Sequence, residues 1–334
     1  MGNSPKFLIA ALVCTLSCST SSDEYPELRG PYLGQPPPGS TPALFAPGFV
    51  CTSLSERDAA MSPDGSLFVW SIWSGSFGSI VFSRLQDGVW TTPQMAPFSG
   101  RYSDLEPAFS PDGSRLYFAS NRPLEEIGPP KDYDIWSVEL EAGEWSFPSN
   151  VGQPLNSDAN EFYPSIATNG AIYFTAQRQG SLGGEDIFRS ERRGDAYTTP
   201  ENIGPGVNTE QGEFNAFVAP DEHMILFSSF GRHDGQGGGD LYVSFRDENG
   251  VWQPAVNLGE TINTPSLEYC PSISPDGRYL FYSSRTTGRT PYWEKVRSFS
   301  ALRKLLNAPL NGSGDIFWVE ISTVERLREV LSGP

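Results

Sequence analysis

A short turn sequence that recurs along the chain limits the possible fold more than any other feature. Ser110-Pro111-Asp112-Gly113 lies between two short apolar runs. Proline fixes φ at the first turn position, aspartate bonds to the following backbone, and glycine accepts a positive φ. Such a turn between apolar runs predicts a β-hairpin. Related pairs occupy the same place in four other segments: Asp64-Gly65, Asn169-Gly170, Asp221-Glu222 and Asp276-Gly277.

Five copies at a spacing of about fifty residues indicate a repeat architecture. Each copy has a short strand before the turn, an aromatic-rich strand after it and a third strand, and four of the copies have a fourth strand near an aromatic residue and a proline. Four-stranded antiparallel sheets repeated around an axis form a propeller. The sequence therefore predicts an all-β fold, a five-bladed β-propeller. Six blades are the alternative, if residues 286–314 contain a degenerate blade.

The fifth copy lacks its fourth strand, because its third strand leads directly into residues 322–334, where a Ser-Thr start and apolar spacing predict a short C-terminal helix. The segment Pro42–Thr52 parallels Pro200–Thr209 of the third copy. We therefore expect an N-terminal strand to complete the last blade and close the ring, which removes two exposed sheet edges. The propeller is predicted to span residues 42–325, with an insertion at 286–314.

The insertion contains a second candidate helix, between Trp293 and Leu306. Its apolar residues have helical spacing, and its cations are Lys295, Arg297, Arg303 and Lys304. It is the only basic helix predicted in an acidic chain. The helix can bury its apolar stripe on the propeller, or it can act as a docking element for a partner.

The start of the chain is typical of an export signal. In residues 1–18, Lys6 precedes an apolar run that is too short to span a membrane. Leu16-Ser17-Cys18-Ser19 resembles a bacterial lipobox, so lipidation of Cys18 is predicted, with a conventional secretory signal as the alternative. Residues 19–41 are polar and proline-rich and predict a flexible tether. The expected location is the bacterial periplasm or outer membrane, with membrane contact only through the lipid anchor; secretion is the alternative.

Charge and composition restrict the partners and cofactors. The net charge of −17 and the lack of a basic stripe argue against binding to nucleic acid. His223 and His233 have no neighbours at metal-ligand spacing, so no metal site is predicted, and no cofactor is expected. If Cys18 is lipidated, Cys51 and Cys270 remain, and an oxidising compartment permits a disulfide between them. Two buried thiols are the alternative.

An acidic residue recurs six positions before the first turn residue of every copy. These residues are Glu56, Asp104, Glu161, Glu213 and Glu268. We expect them at one mouth of the central channel, where clustered carboxylates can raise each other's pKa or bind a cation. The alternative is that each caps backbone N–H groups in the connection between two blades.

Two copies match a fuller pattern nearly residue for residue, P-x-[FI]-SPDG-x-x-[LI]-[YF]-F-x-S followed by D-[IL]-[WFY]. They are Pro107–Ser120 with Asp134-Ile135-Trp136, and Pro271–Ser283 with Asp315-Ile316-Phe317. The pattern resembles the WD40-like (PD40) repeats of the TolB type found in bacterial periplasmic proteins. The resemblance covers about residues 42–325 and implies a β-propeller. Propellers of this type serve as interaction modules, as lids beside peptidase domains and as parts of envelope assemblies, so the resemblance implies no single function.

The expected function is non-enzymatic binding of an unidentified protein or envelope component through one face of the propeller. No catalytic residues are predicted. The alternative is a carbohydrate-active enzyme or glycan binder that uses the channel-mouth carboxylates, since two carboxyl groups at a suitable separation hydrolyse glycosidic bonds.

Overall fold

A computed structural model describes residues 25–125, 127–194, 196–287, 296–324 and 327. Five small antiparallel sheets form a five-bladed β-propeller, which confirms the predicted fold. The described part of the insertion 286–314 contributes a helix and an isolated bridge between Thr287 and Asn311. It adds no sixth blade.

Each blade has four strands, which lie side by side from the axis to the outer edge. From blade 1 to blade 5, the innermost strands are Glu56–Met61, Asp104–Phe109, Glu161–Ile166, Gly212–Val218 and Glu268–Ile273. The second strands are Leu67–Trp73, Arg115–Ser120, Ile172–Ala176, Met224–Phe230 and Tyr279–Ser284. The third strands are Gly78–Gln86, Asp134–Glu141, Asp186–Ser190, Asp240–Phe245 and Asp315–Glu320. The outermost strands are Gln94–Met95, Ser149–Asn150, Glu201–Asn202, Val256–Asn257 and Ala43–Leu44.

The remaining elements are short. Hairpin strands beyond the third strands are Val89–Trp90, Glu144–Trp145, Arg192–Arg193 and Ala196–Tyr197. Two 3₁₀ turns cover Tyr32–Gly34 and Ile321–Thr323, and the single α-helix of the described residues is Phe299–Leu306.

The repeated turns form as their residues predict. Ser110 Oγ donates to Asp112 Oδ1 at 2.6 Å, and Arg115 N donates to Ser110 Oγ at 3.0 Å. Gly113 adopts φ +73°, which a residue with a side chain rarely tolerates. These bonds join the first and second strands at one end of the blade, which we call the turn face. The opposite end, where the innermost strands begin, is called the cap face.

The N-terminal strand lies at the outer edge of blade 5. Ala43–Leu44 pairs antiparallel with Asp315–Glu320. The next residue, Phe45, is buried, with its ring 4.8 Å from that of Phe68 in blade 1 and 5.0 Å from that of Phe281 in blade 5. The segment therefore contacts both blades at the seam of the ring. That it keeps the ring closed stays a prediction.

Residues 25–41 are not a free tether. Trp90 Nε1 donates to Gly30 O at 2.7 Å, which fixes the segment to blade 1. Leu33 is buried, and the Tyr32 ring lies 4.8 Å from that of Tyr279 in blade 5. The prediction of a flexible tether over 19–41 is therefore wrong from Tyr25 onward, because aromatic packing holds this part of the segment.

Several predictions fall outside the described residues. These are the export signal in residues 1–18, lipidation at Cys18, and most of the C-terminal helix predicted over 322–334. No helix within the described ranges is long and apolar enough to cross a membrane.

The helix of the insertion is shorter than predicted and leaves its apolar side uncovered. It begins after Ser298, whose Oγ accepts a bond from Ala301 N at 3.1 Å, as an N-cap residue does. None of its residues is buried. Of the two alternatives for its apolar stripe, burial on the propeller is therefore not found.

Candidate functional site at the propeller axis

The five recurring carboxylates are buried at the cap face and bonded within the chain. Glu213 shows the pattern: Thr209 Oγ1 donates to its Oε1 at 2.8 Å, and Thr209 N donates to its Oε2 at 2.7 Å. Three others accept from the Ser or Thr four residues earlier: Glu56 from Thr52, Glu161 from Ser157, and Glu268 from Thr264. This is the geometry of caps in the connections between blades. A role of these carboxylates in binding a partner stays a prediction.

Arginines at the ends of second strands neutralise three of these carboxylates. Arg122 Nη2 lies 2.6 Å from Asp104 Oδ1, and Arg232 Nη2 lies 3.0 Å from Glu213 Oε1. Arg178 is 3.6 Å from Glu161. The carboxylates therefore do not form an open ring of like charges.

Burial is the main cause of the raised pKa of two carboxyl groups at the seam between blades 5 and 1. Desolvation raises the pKa of Glu56 to about 7, although its bond from Thr52 opposes the shift. The nearby Asp315 has its pKa raised to about 6, also by burial. Both groups therefore hold a proton more tightly when folded than in an exposed chain.

Two residues after each carboxylate, every innermost strand has a bulge. The residues there have φ between 50° and 62°: Asp58, Glu106, Tyr163, Asn215 and Cys270. The strand register shifts at the same place in all five blades. A residue other than glycine costs about 1–2 kcal/mol in this conformation, so the surrounding structure must hold it.

Side chains of the preceding blade hold three of the bulges. Glu106 N donates to Ser71 Oγ at 3.0 Å, Asn215 N to Thr175 Oγ1 at 3.0 Å, and Asp58 N to Ser283 Oγ at 3.3 Å. In blade 2 the position that corresponds to Ser71 and Thr175 is occupied by Ala119, whose side chain has no hydrogen-bond acceptor. There Tyr163 N donates instead to Glu106 Oε2 at 2.7 Å. A carboxylate from the bulge layer thus replaces the missing hydroxyl.

The bulge side chains form a charged and polar layer across the axis. Arg57 Nε lies 2.7 Å from Asp58 Oδ1, and Arg57 Nη2 lies 2.7 Å from Glu106 Oε1. Asn215 Nδ2 donates to Glu106 Oε1 at 3.2 Å, and Arg57 Nη2 lies 3.3 Å from Cys270 Sγ. Burial raises the pKa of Glu106, whereas Arg57 lowers it.

Tyr163 completes this layer. Its hydroxyl donates to Pro271 O at 3.0 Å, so its side chain reaches from blade 3 to blade 5. Sequence reasoning missed the layer because it aligned the copies on the repeated acidic residue. Two positions after the acidic residue, the same alignment shows a different residue type in each of the five copies. That variation at one position of a regular repeat was the signal that could have identified the layer.

The two cysteines do not form the disulfide that the sequence permitted. Cys51 and Cys270 are both free and buried. Cys51 Sγ donates to Ile316 O at 3.2 Å at the ring seam, whereas Cys270 belongs to the axial layer. Burial raises the pKa of both thiols well above the usual range, so neither is an activated nucleophile.

A cavity of about 760 Å³ lies on the turn-face side of the layer. Glu106 and Tyr163 are part of its lining, and the turns of the first and second strands surround its opening. Its wall comes from the innermost strands and includes Met61, Ala108, Phe109, Ser165, Phe217 and Ile273. Within the described ranges, no group of three or more His, Cys, Asp or Glu side chains is arranged to hold a metal ion.

Two hydroxyl groups of the wall are bonded within the chain, whereas the charged and titratable lining residues Asp112, Arg115, Arg192 and His223 belong to the turns and to strands outside the innermost ones. Ser165 Oγ accepts from Val218 N at 2.9 Å, and Ser272 Oγ donates to Ala59 O at 2.7 Å. The cavity therefore suits apolar groups better than a ligand with many hydroxyls.

The glycine-rich loops between second and third strands serve packing. A Cβ atom on Gly183 would lie 2.1 Å from Gln211 O, and one on Gly237 would lie 2.4 Å from Thr264 O. Glycine is required because each loop lies directly against the connection to the next blade.

Comparisons with known proteins bear on the fold alone. No family model and no curated protein matches the chain. Similar solved structures include TolB from Acinetobacter baumannii, at 16% identity and a TM-score of 0.45, covering 79% of this chain and 54% of that one. A putative TolB from Agrobacterium tumefaciens has 21% identity and a TM-score of 0.42, covering 66% and 70%. An α-L-arabinofuranosidase from Lactobacillus brevis has 12% identity and a TM-score of 0.47, covering 81% and 91%.

TolB proteins are thus among the structural neighbours, as the repeat pattern led us to expect. The chain spans about half the length of the Acinetobacter protein. At these identities and TM-scores the similarities carry no argument about function, and membership of the PD40 family is not shown.

Proposed function

We propose that this chain is an exported propeller, lipid-anchored at Cys18, that binds an apolar segment of a protein or envelope component in the turn-face cavity without catalysing a reaction. The cavity carries the proposal. Its volume of about 760 Å³ falls within the range of about 300–1,000 Å³ that is usual for ligand pockets. Its wall consists mainly of apolar side chains, so binding would bury apolar surface of the ligand.

The carboxylates are bonded within the chain, and this bonding supports binding rather than catalysis. The cap-face carboxylates are buried; four of them accept bonds from their own connections, and Asp104 accepts from Ser120 and Arg122. Glu106 is the acidic residue of the bulge layer that lines the cavity, and both of its oxygens accept bonds, from Arg57, Asn215 and Tyr163. A general acid or nucleophile must instead reach the substrate.

Cavity filling tests the binding function. Ala108 lines the cavity and is partly buried, so Ala108→Trp should occupy part of the space. Phe147→Ser is the matched control, because Phe147 is 96% exposed in an outer hairpin. Envelope proteins retained by the immobilised wild type and by the control should be depleted about tenfold on Ala108→Trp, which corresponds to about 1.4 kcal/mol. Equal retention by all three folded proteins would contradict binding in the cavity.

The lipid anchor has a separate test. Mass spectrometry of the membrane fraction should show a diacylglyceryl modification at Cys18, and Cys18→Ala should remove it. An unmodified Cys18 in an exported protein would contradict the anchor and leave the cavity proposal standing.

Hydrolysis of a glycoside is the second candidate, and one observation favours it. Glu106 lines the cavity and burial raises its pKa, as occurs for the general acid of glycosidases. Turnover of aryl glycosides that is lost in Glu106→Gln, while circular dichroism shows that this variant is folded at the assay temperature, would establish this candidate. Absence of turnover in the wild type would remove it.

A further inference from the structure

The helix Phe299–Leu306 presents an uncovered apolar side to solvent. Phe299 is 78% exposed, Leu302 is 38% exposed and Leu306 is 50% exposed. With 3.6 residues per turn, these three side chains lie on one side of the helix. The bond from Asn311 Nδ2 to Leu306 O, together with one to Ser53 O, brings the helix end beside the connection that carries Leu54. Leu54 is itself 52% exposed, so the apolar patch extends beyond the helix.

The charge of this segment is opposite to that of the rest of the protein. Residues 296–306 contain three cations, Arg297, Arg303 and Lys304, and no Asp or Glu, whereas the whole chain has a net charge of −17. Its only other polar side chains are two serines, and Ser298 is used as the N-cap. The segment thus offers cations and apolar groups without a single acidic side chain, which is the composition that an anionic apolar surface attracts.

We propose that this helix lies in the interface of an anionic lipid membrane, with Phe299, Leu302 and Leu306 among the acyl chains and the cations at the headgroups. Basic residues on the polar side and Phe or Leu on the other are typical of interfacial helices. The helix is convex and protrudes, so it fits a deformable lipid surface without needing a preformed groove. Its binding does not depend on lipidation of Cys18, because the apolar side chains and the cations are its own.

The helix lies at the end of the propeller opposite the turn-face cavity. The helix lies between Ser284 and Asp315, which pair with each other at the cap-face end of blade 5. A membrane at the cap face would therefore leave the cavity open on the opposite side.

The test places an environment-sensitive dye on the helix of the full-length chain. Phe299→Cys is labelled, and Phe147→Cys, labelled in the same way, is the matched control. Both variants carry Cys14→Ser and Cys18→Ser, because Cys51 and Cys270 are buried and the introduced thiol is then the one that reacts; a chain that keeps Cys18 is used for flotation. The vesicles are phosphatidylcholine alone or phosphatidylcholine mixed with phosphatidylglycerol. We expect a blue shift of the dye at position 299 with the anionic vesicles, little shift with phosphatidylcholine alone, and none at position 147.

Charge reversal provides the second arm. Arg303→Glu with Lys304→Glu should lower partitioning of the label by more than tenfold, since each cation contributes about fivefold at an anionic surface. Arg29→Glu with Arg193→Glu makes the same change in net charge elsewhere and should have little effect. Added salt should weaken the signal of the wild-type helix.

Three results would overturn the inference. The first is a blue shift at position 299 that is equal on both vesicle types, and the second is a blue shift that survives the Arg303 and Lys304 reversals. The third is a blue shift that occurs without lipid and rises with protein concentration, which would identify a second copy of the chain as the partner. Flotation of the protein with vesicles is read in parallel. Flotation without a shift at position 299 would overturn the helix proposal while leaving the anchor at Cys18 intact.

Discussion

Replacing Arg57 should destabilise the propeller strongly, because this side chain neutralises two buried carboxylates of neighbouring blades. Arg57 contacts Asp58 in blade 1 and Glu106 in blade 2, each at 2.7 Å. Methionine has a similar length without charge, so Arg57→Met removes the two ion pairs while keeping much of the packing volume. Both carboxylates would remain buried, and Glu106 would keep its bonds from Asn215 and Tyr163.

The expected loss follows from that geometry. Removal of one partner from a buried ion pair costs about 3–5 kcal/mol, because the remaining charge stays desolvated. Arg57 serves two such pairs, but the remaining donors to Glu106 offset part of the cost. We therefore expect a loss of about 4–5 kcal/mol near neutral pH. The whole fold is expected to be stable by about 5–15 kcal/mol, so the variant approaches the threshold of unfolding.

The pH dependence separates this mechanism from a loss of packing. Burial raises the pKa of Glu106, and Arg57 lowers it, so removing Arg57 raises that pKa further. The folded variant then binds a proton more tightly than the unfolded chain does, and its free energy of unfolding increases as the pH falls. The deficit relative to wild type should shrink between about pH 8 and about pH 5.

Urea unfolding followed by circular dichroism measures both effects as shifts of the midpoint at constant slope. Arg29→Met is the control: Arg29 is an exposed arginine paired with Glu27 at the surface, and its loss should change stability by less than about 1 kcal/mol. A deficit for Arg57→Met below about 1 kcal/mol, or one of equal size at both pH values, would refute the ionic role of the layer.

Three further predictions test other parts of the ring. Burial raises the pKa of Glu56 to about 7, so the folded state holds this proton more tightly than the unfolded state, and stability should fall as the pH rises from about 4.5 to about 7. Glu56→Gln should flatten that slope in pH-dependent unfolding, by on the order of 3 kcal/mol across the window; an unchanged slope would assign the dependence to other groups. Phe45→Ala should cost about 3–5 kcal/mol in urea unfolding if the N-terminal segment holds the ring, against less than 1 kcal/mol for Phe147→Ser, and equal small effects would contradict the closure. In a Glu106→Gln background, Ala119→Ser supplies an acceptor for the neighbouring bulge and should restore about 1 kcal/mol of thermal stability, whereas no gain would show that the hydroxyl cannot replace the carboxylate.

The sequence was sufficient for the fold because its local signals agree with each other. The turn bonds around Ser110 and Asp112 depend on residue types at fixed offsets, and those offsets recur along the chain. The helix of the insertion shows the limit. Periodicity identified the helix, but whether its apolar side is covered depends on the path of the surrounding chain, which no local pattern specifies.

The candidate site was predicted only in part, for a physical reason. The repeated carboxylates were easy to align because every blade needs the same cap, and a feature needed in every blade is structural. The residues at the axis share a backbone conformation but not a residue type, and Asp58 and Cys270 have no common chemistry to align. Their contacts run across the axis between blades, as from Tyr163 to Pro271, so they depend on tertiary structure.

The bulge layer also determines how a ligand can approach. Glu106 of blade 2 accepts bonds from Tyr163 of blade 3 and Asn215 of blade 4. Arg57 of blade 1 contacts Glu106 and also Cys270, which belongs to blade 5. Side chains of all five blades therefore meet at the axis, where the five bulge residues are buried. The turn-face cavity then ends at this layer, and a ligand must enter and leave by the same opening. The two faces are consequently separate surfaces, so the cavity can hold a partner while the cap face contacts something else.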